Sequence, residues 1–171
     1  MRRCKSKIIV PLLASLALLS ACGQNTETDM DSQLAAVELP NGMTVKEQIE
    51  ARQGHLKKIG KAFKSISDQL KADSPDLARI QAAAALVPKE AEDMADWFPE
   101  GTGSESGVKT DALPVIWKNK SDFNDKVLAM QEAAAGLDTV AQSGDVATIA
   151  TAFQATGGKC KDYHDKYRED D

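Results

Sequence analysis

The sequence predicts an all-α fold: an antiparallel up-down-up-down four-helix bundle. Three observations predict it. Apolar residues recur at alternating three- and four-residue intervals in four separate stretches, the spacing that gathers side chains on one helix face. Aromatics are only 5% of the 171 residues, whereas Ala, Leu, Lys, Glu and Gln are plentiful, a composition suited to helix packing rather than to the β-branched and aromatic faces of sheets. Short connections join the first stretch to the second and the third to the fourth, which makes neighbouring helices antiparallel. The length suits one domain with a proper core.

Residues 1–21 read as an export signal. Arg2, Arg3, Lys5 and Lys7 form a basic start, Ile8 to Leu19 a short apolar run, and Leu19-Ser20-Ala21-Cys22 a small-residue cleavage site ending in cysteine. An apolar run this short, interrupted by Pro11, does not span a bilayer, so the segment is a cleaved signal rather than an anchor. The junction resembles a bacterial lipobox, which implies lipid on Cys22 and attachment through several acyl chains. Gly23 and Gln24 follow rather than an acidic residue, which resembles sorting to the outer membrane. Residues 22–43, rich in Asn, Thr, Asp, Ser and Gln, then form the lipidated start and a flexible solvated tether. The bundle occupies residues 44–171.

The first helix carries Val45, Ile49, Arg52, Leu56, Ile59, Phe63, Ile66 and Leu70 on one face, with Arg52 the only charge in the seam. A second helix starts at Ser74 and Pro75 and repeats the pattern through Leu77, Ile80, Ala84, Val87, Ala91 and Met94, with Pro88 as a candidate kink. The long connection, Ala95 to Leu113, holds the apolar plug Trp97-Phe98-Pro99 and a flexible polar run; the plug either caps the core or touches a cofactor. The third helix begins near Pro114, carries Ile116, Phe123, Val127, Met130, Ala134, Leu137 and Ala141, and stops at Ser143-Gly144. Asp145 caps the fourth, whose inner face runs through Val146, Ile149, Phe153, Cys160, Tyr163 or His164, and Tyr167.

The formal charge of -5 becomes more negative once four basic residues leave with the signal, which argues against a nucleic-acid partner. No nucleophile elbow, H-E-x-x-H or phosphate loop is present, so conventional hydrolysis is unsupported and the chain reads as a binder or carrier, not an enzyme. Cys160 and His164, four residues apart, share one helix face and could together hold one flat cofactor. After processing Cys160 is the only unmodified cysteine, an unpaired thiol in an oxidising compartment. A thioether to a haem vinyl group would consume it, and the His164 imidazole would ligate iron. Cys160 and His164 as a zinc or copper pair would need two more ligands, and none stands at a suitable spacing.

The segment Cys160-Lys161-Asp162-Tyr163-His164-Asp165-Lys166-Tyr167-Arg168 resembles the C-terminal signature of the cytochrome c′ family, C-x-x-C-H followed by an acid, an aromatic and Arg. Further landmarks stand in the family's order: Arg52-Gln53-x-x-Leu56, Trp97-Phe98-Pro99-Glu100-Gly101-Thr102, and Pro114-x-Ile116-Trp117 followed by Phe123. The resemblance implies a proximal iron ligand at His164, a thioether at Cys160 and a tuning residue at Arg168. It makes Leu56 the distal residue that keeps iron five-coordinate and open to nitric oxide or carbon monoxide, and sets Arg52 and Gln53 near the haem propionates. Trp97 and Tyr163 join the haem-contacting set. A propionate would also answer the buried Arg52, since a buried cation is costly without an anion.

One departure stands out. Tyr163 occupies the place of the second motif cysteine, as in soluble b-type four-helix cytochromes that end Tyr-His-Gln-Lys-Tyr-Arg. Three readings stay open: c-type haem on one thioether, b-type haem held by His164 and packing, or a haem-free bundle with a structural or interaction role. His55, one position off the seam, faces solvent unless the helix register shifts. With the lipid anchor read from the lipobox at Cys22, the resemblance implies a periplasmic protein that binds small gases or exchanges single electrons with an unidentified redox protein. Members commonly pair through their first two helices, and the mixed charge on those faces permits a homodimer without requiring one.

Overall fold

The computed structural model describes residues 26–169, so the signal and Cys22 lie outside the described residues. Four long helices form the bundle: α2 (Val45–Leu70), α3 (Leu77–Ala91), α5 (Lys120–Ala141) and α6 (Val146–Tyr167), with α1 (Thr26–Ala35) before them and the single turn α4 (Val115–Lys118) leading into α5. Among the described residues no helix is long and apolar enough to cross a membrane.

Each bundle helix starts where a side chain satisfies its free N–H groups. Thr44 and Glu47 make a reciprocal capping box: Glu47 N–H donates to Thr44 Oγ1 at 3.2 Å, and Thr44 N–H donates to Glu47 Oε2 at 2.8 Å. The cap of α3 is Asp76, which accepts from Arg79 N–H at 3.1 Å, so this helix starts past the Ser74-Pro75 start read from sequence. An aspartate placed immediately before the first periodic residue displaces the serine. Pro88 is accommodated inside α3. Asn119, at φ -124° and ψ 49°, separates α4 from α5, dividing what the sequence presents as one helix. Asp145 caps α6 through Thr148 N–H at 2.6 Å, and α6 continues through Gly157 and Gly158.

Along α2–α3, α3–α5 and α5–α6 the packing is extensive, but α2 and α6 touch at only a few points. The seams meet as the periodicity requires: Ile66, Ile80, Ala84, Val87, Phe123, Leu137 and Ile149 are buried completely or nearly so. Between α2 and α6 the Phe63 and Phe153 rings meet, centroids 5.2 Å apart.

Residues 95–113 fold over the opposite end. A 3₁₀ turn at Met94–Trp97 buries Met94 and Trp97, and a second at Ser104–Ser106 ends at Gly107, whose φ of +71° favours glycine. Trp117 Nε1–H donates to the carbonyls of Phe98 and Pro99 at 3.2 and 3.0 Å. The loop then pairs with the end of α6: Leu113 N–H donates to Tyr167 O at 3.0 Å and Glu169 N–H to Asp111 O at 2.8 Å. Where sequence composition suggests a tether, residues 26–35 form α1, which rests lightly on α2 and the Ser104–Ser106 turn. Met30 and Leu34 on it remain exposed.

Candidate functional site

The separation of α2 from α6 opens a small cleft of about 70 Å³ at the loop-covered end, lined by α2 (Arg52, Gln53, Leu56), the loop (Phe98, Thr110, Asp111, Ala112) and α6 (Tyr163, His164, Tyr167, Arg168). Residues more than 100 positions apart therefore converge here because two adjacent helices fail to close on one another.

Arg52 is 2% exposed. Its guanidinium donates to Thr102 Oγ1 at 2.9 Å, Thr102 O at 2.7 Å and Thr110 Oγ1 at 2.7 Å, and its carbon lies 4.7 Å from the Phe98 ring centroid. Burial lowers its pKa to about 10, because removing the cation from water disfavours the charged form. Among the described residues no carboxylate forms an ion pair with it. Neutral oxygens and a π face hold the charge in place and leave part of its five-donor fork unengaged. Gln53 Nε2 donates to Lys109 O at 2.9 Å, which keeps it at the rim, while Leu56 packs against the core and presents an apolar surface to the cleft.

On α6, Tyr163 is 5% exposed, tilted against Phe123 at 5.6 Å and edgewise to His164 at 5.7 Å. Burial pushes its phenol pKa upward, with the Arg52 charge opposing that shift. His164 stays more exposed, at the mouth of the cleft. Partial desolvation lowers its pKa, the Arg168 cation lowers it further, and Asp165 opposes both. The imidazole is thus biased towards its neutral form, the form that ligates a metal. Arg168 reaches Asp111 at 3.6 Å, tying the loop to the last turn of α6. Cys160 lies one turn before His164, half-buried against the core, with its thiol pKa raised by burial.

The cleft therefore gathers six of the sequence-derived site residues: Arg52, Gln53, Leu56, Tyr163, His164 and Arg168. Cys160 is on the same helix face just below. Trp97 is not brought in. It is 7% exposed and stacks on His55 at 4.9 Å and 22°, outside the cleft lining. The plug turns Phe98 to the cleft and Trp97 to α2. His55, half-buried rather than fully facing solvent, holds Glu90 Oε2 at 2.8 Å from Nδ1, and Lys58 completes that cluster at 3.1 Å. Phe98, Thr110, Asp111, Ala112 and Tyr167 were not singled out as site residues. Tyr167 was legible on the helix seam, whereas the 110–112 segment carries no periodicity and gains its place through backbone pairing. An apolar slot with a buried cation at one wall and a neutral imidazole at the other can take a flat, carboxylate-bearing ligand with a central metal.

The chain is similar to known proteins in sequence and in fold. Residues 47–168 match the family model described as cytochrome C′. Cytochrome c′ of Pararhodospirillum photometricum is 32% identical over 121 residues, covering 71% of this chain and 95% of that protein. The crystal structure of cytochrome c′ from Thermochromatium tepidum superposes with a TM-score of 0.70 at 29% identity, covering 75% of this chain and 98% of the other. A nitric oxide complex of a variant cytochrome c prime from Alcaligenes xylosoxidans gives a TM-score of 0.67 at 26% identity, covering 74% and 97%.

Proposed function

The chain belongs to the cytochrome c′ family, and on that premise we propose that its α2–α6 cleft holds one haem with His164 as proximal iron ligand and Cys160 as a single thioether. The family binds c-type haem covalently. The observation that carries the reading is the cleft itself, with Arg52 buried in its wall without a carboxylate in ion-pair contact among the described residues and His164 at its mouth. These residues fit the group: the thiol and imidazole are one turn apart, Leu56 offers an apolar face, and the guanidinium suits a haem carboxylate. Tyr163 leaves one cysteine where the motif has two, so one covalent link is expected.

Bound here, haem supplies an iron that takes a small ligand or carries one electron. His164 would ligate the iron, and its neutral form keeps a nitrogen lone pair available. Leu56 has no atom able to ligate iron and would leave the bound group open to small neutral molecules; the nitric oxide complex of a relative supports gas binding. Arg168, held by Asp111, places positive charge beside His164 and disfavours its protonated form. Arg52 and Gln53 face the carboxylate edge.

Cys22 is proposed as the lipidated residue, anchoring a periplasmic protein to the outer membrane; globomycin-sensitive processing tests this, and processing indifferent to the drug contradicts it. Pairing of two copies through α2 and α3 is proposed by family likeness and tested by sedentimentation of the loaded protein, a monomer at micromolar concentration opposing it. For the site, haem-loaded protein should give a carbon monoxide difference spectrum of a five-coordinate haem, and His164→Ala should abolish it. Normal haem binding by that variant would remove His164 from the proximal position.

A further inference from the structure

The helix ahead of the bundle carries its large apolar side chains on the side away from the bundle. Among the described residues five large hydrophobic side chains are exposed, and three of them, Met30, Leu34 and Val37, stand on or just after α1; Leu77 and Leu128 are scattered singly on α3 and α5. Steps of four and three residues put Met30, Leu34 and Val37 on one face, and the turn continues past Ala35 because Val37 N–H donates to Leu34 O at 3.2 Å. Small and polar groups take the bundle side instead: Ala35 is half-buried, and Asp31 lies so near Gly107 that a Cβ there would fall 2.5 Å from it. A helix that docked on the bundle to bury its own apolar face would show the reverse pattern. Single exposed apolar residues need no explanation, whereas three in line mark a contact outside the bundle.

The place of α1 in the chain says what that contact is. Cys22, proposed above as the lipidated residue, precedes the first residue of α1, Thr26, by four positions, a span of at most about 14 Å. An interfacial helix sinks about 5–10 Å into the headgroup boundary, so the anchor leaves α1 within reach of lipid. A second copy of the chain fits less well: a stable pair buries about 800 Å² on each partner, beyond what three side chains supply. Contact with a bilayer already joined to the chain is intramolecular and needs no such area. No Lys or Arg stands between Cys22 and Thr44, and Asp29 and Asp31 are exposed, so the fit is to headgroups without net charge. The helix is in turn tied to the bundle, because Val45 N–H donates to Val37 O at 2.9 Å and α1 rests on the Ser104–Ser106 turn. Resting on the lipid-anchor reading of Cys22, we propose that Met30, Leu34 and Val37 insert into the interface of a zwitterionic bilayer. The bundle then lies with its loop-covered end at the membrane surface instead of swinging on a tether.

The test is tryptophan fluorescence of the processed, acylated, haem-loaded Leu34→Trp protein in phosphatidylcholine vesicles, with the signal of the parent protein subtracted for Trp97 and Trp117. The emission should shift to shorter wavelength and be quenched by phosphatidylcholine brominated near the headgroup end of its acyl chains. Adding Met30→Ser and Val37→Ser should return the emission to its wavelength in water, while the acyl chains keep the protein on the vesicles. Phosphatidylglycerol in place of part of the neutral lipid should reduce the quenching. Emission at the water wavelength from acylated Leu34→Trp protein on vesicles overturns the inference and leaves the anchor reading intact. A blue shift that follows protein concentration and ignores brominated lipid, the mark of a second copy, does the same. Processing indifferent to globomycin overturns both.

Discussion

The two ends of the bundle are built on opposite rules. At the end where α2 hands over to α3 and α5 to α6, connections are short and aliphatic side chains meet: Ile66, Ile80, Leu137 and Ile149 are all fully buried. At the other end a long loop covers a guanidinium, a phenol and an imidazole around a cleft. The closed end satisfies the hydrophobic effect locally, and its stability is additive packing. The open end buries charge and polarity that cost stability until a ligand answers them. One end makes the fold and the other spends part of it on binding.

Substitutions at the two ends should therefore separate function from stability. The largest effect expected is on binding alone: His164→Ala should lose the five-coordinate haem spectrum while far-ultraviolet circular dichroism stays helical. Retained binding would erase the distinction between the ends. Leu137→Ala at the closed end should do the reverse, costing about 2–5 kcal/mol of stability in urea titration with the haem spectrum preserved. Arg52→Met should weaken haem retention yet leave the haem-free protein at least as stable, because an apolar side chain needs no anion; denaturant midpoints with and without haem measure both. Thr44→Ala removes half of a capping box and should cost about 1 kcal/mol, with no spectral change.

A smaller effect sharpens the contrast through pH. Hydrogen bonds from Thr148 hold the Asp145 carboxyl below its usual range at the closed end. Its contribution to stability is therefore present above the ordinary carboxylate value and is lost as pH falls through the lower folded value. Thermal melts of wild type should drop between about pH 6 and about pH 2 by more than those of Asp145→Asn, which keeps a cap without the charge. Equal drops would show that the cap carries no linkage.

The closed end was legible in the sequence almost residue by residue, since three- and four-residue spacing is dictated by helix geometry alone. Ile66, Ala84, Leu137 and Ile149 fall where the seams place them. The open end was legible only in part. Arg52 was conspicuous as a charge in an apolar seam, but its neutral partners Thr102 and Thr110 were not, because they lie in a loop without periodicity. Adjacent residues Trp97 and Phe98 divide between core and cleft, a choice set by the 3₁₀ turn that carries them and not by their chemistry. The Asn119 break and the Asp76 start show the same limit: helix faces are encoded over many residues, helix ends by one or two competing caps.

The most direct test is acid-acetone extraction followed by a pyridine haemochrome spectrum of full-length protein made in a periplasm with c-type maturation. The account predicts about one haem per chain that stays with the protein, with the spectrum of a single remaining vinyl group, and its loss from the covalent fraction in Cys160→Ser. Folded, helical protein without haem would contradict it.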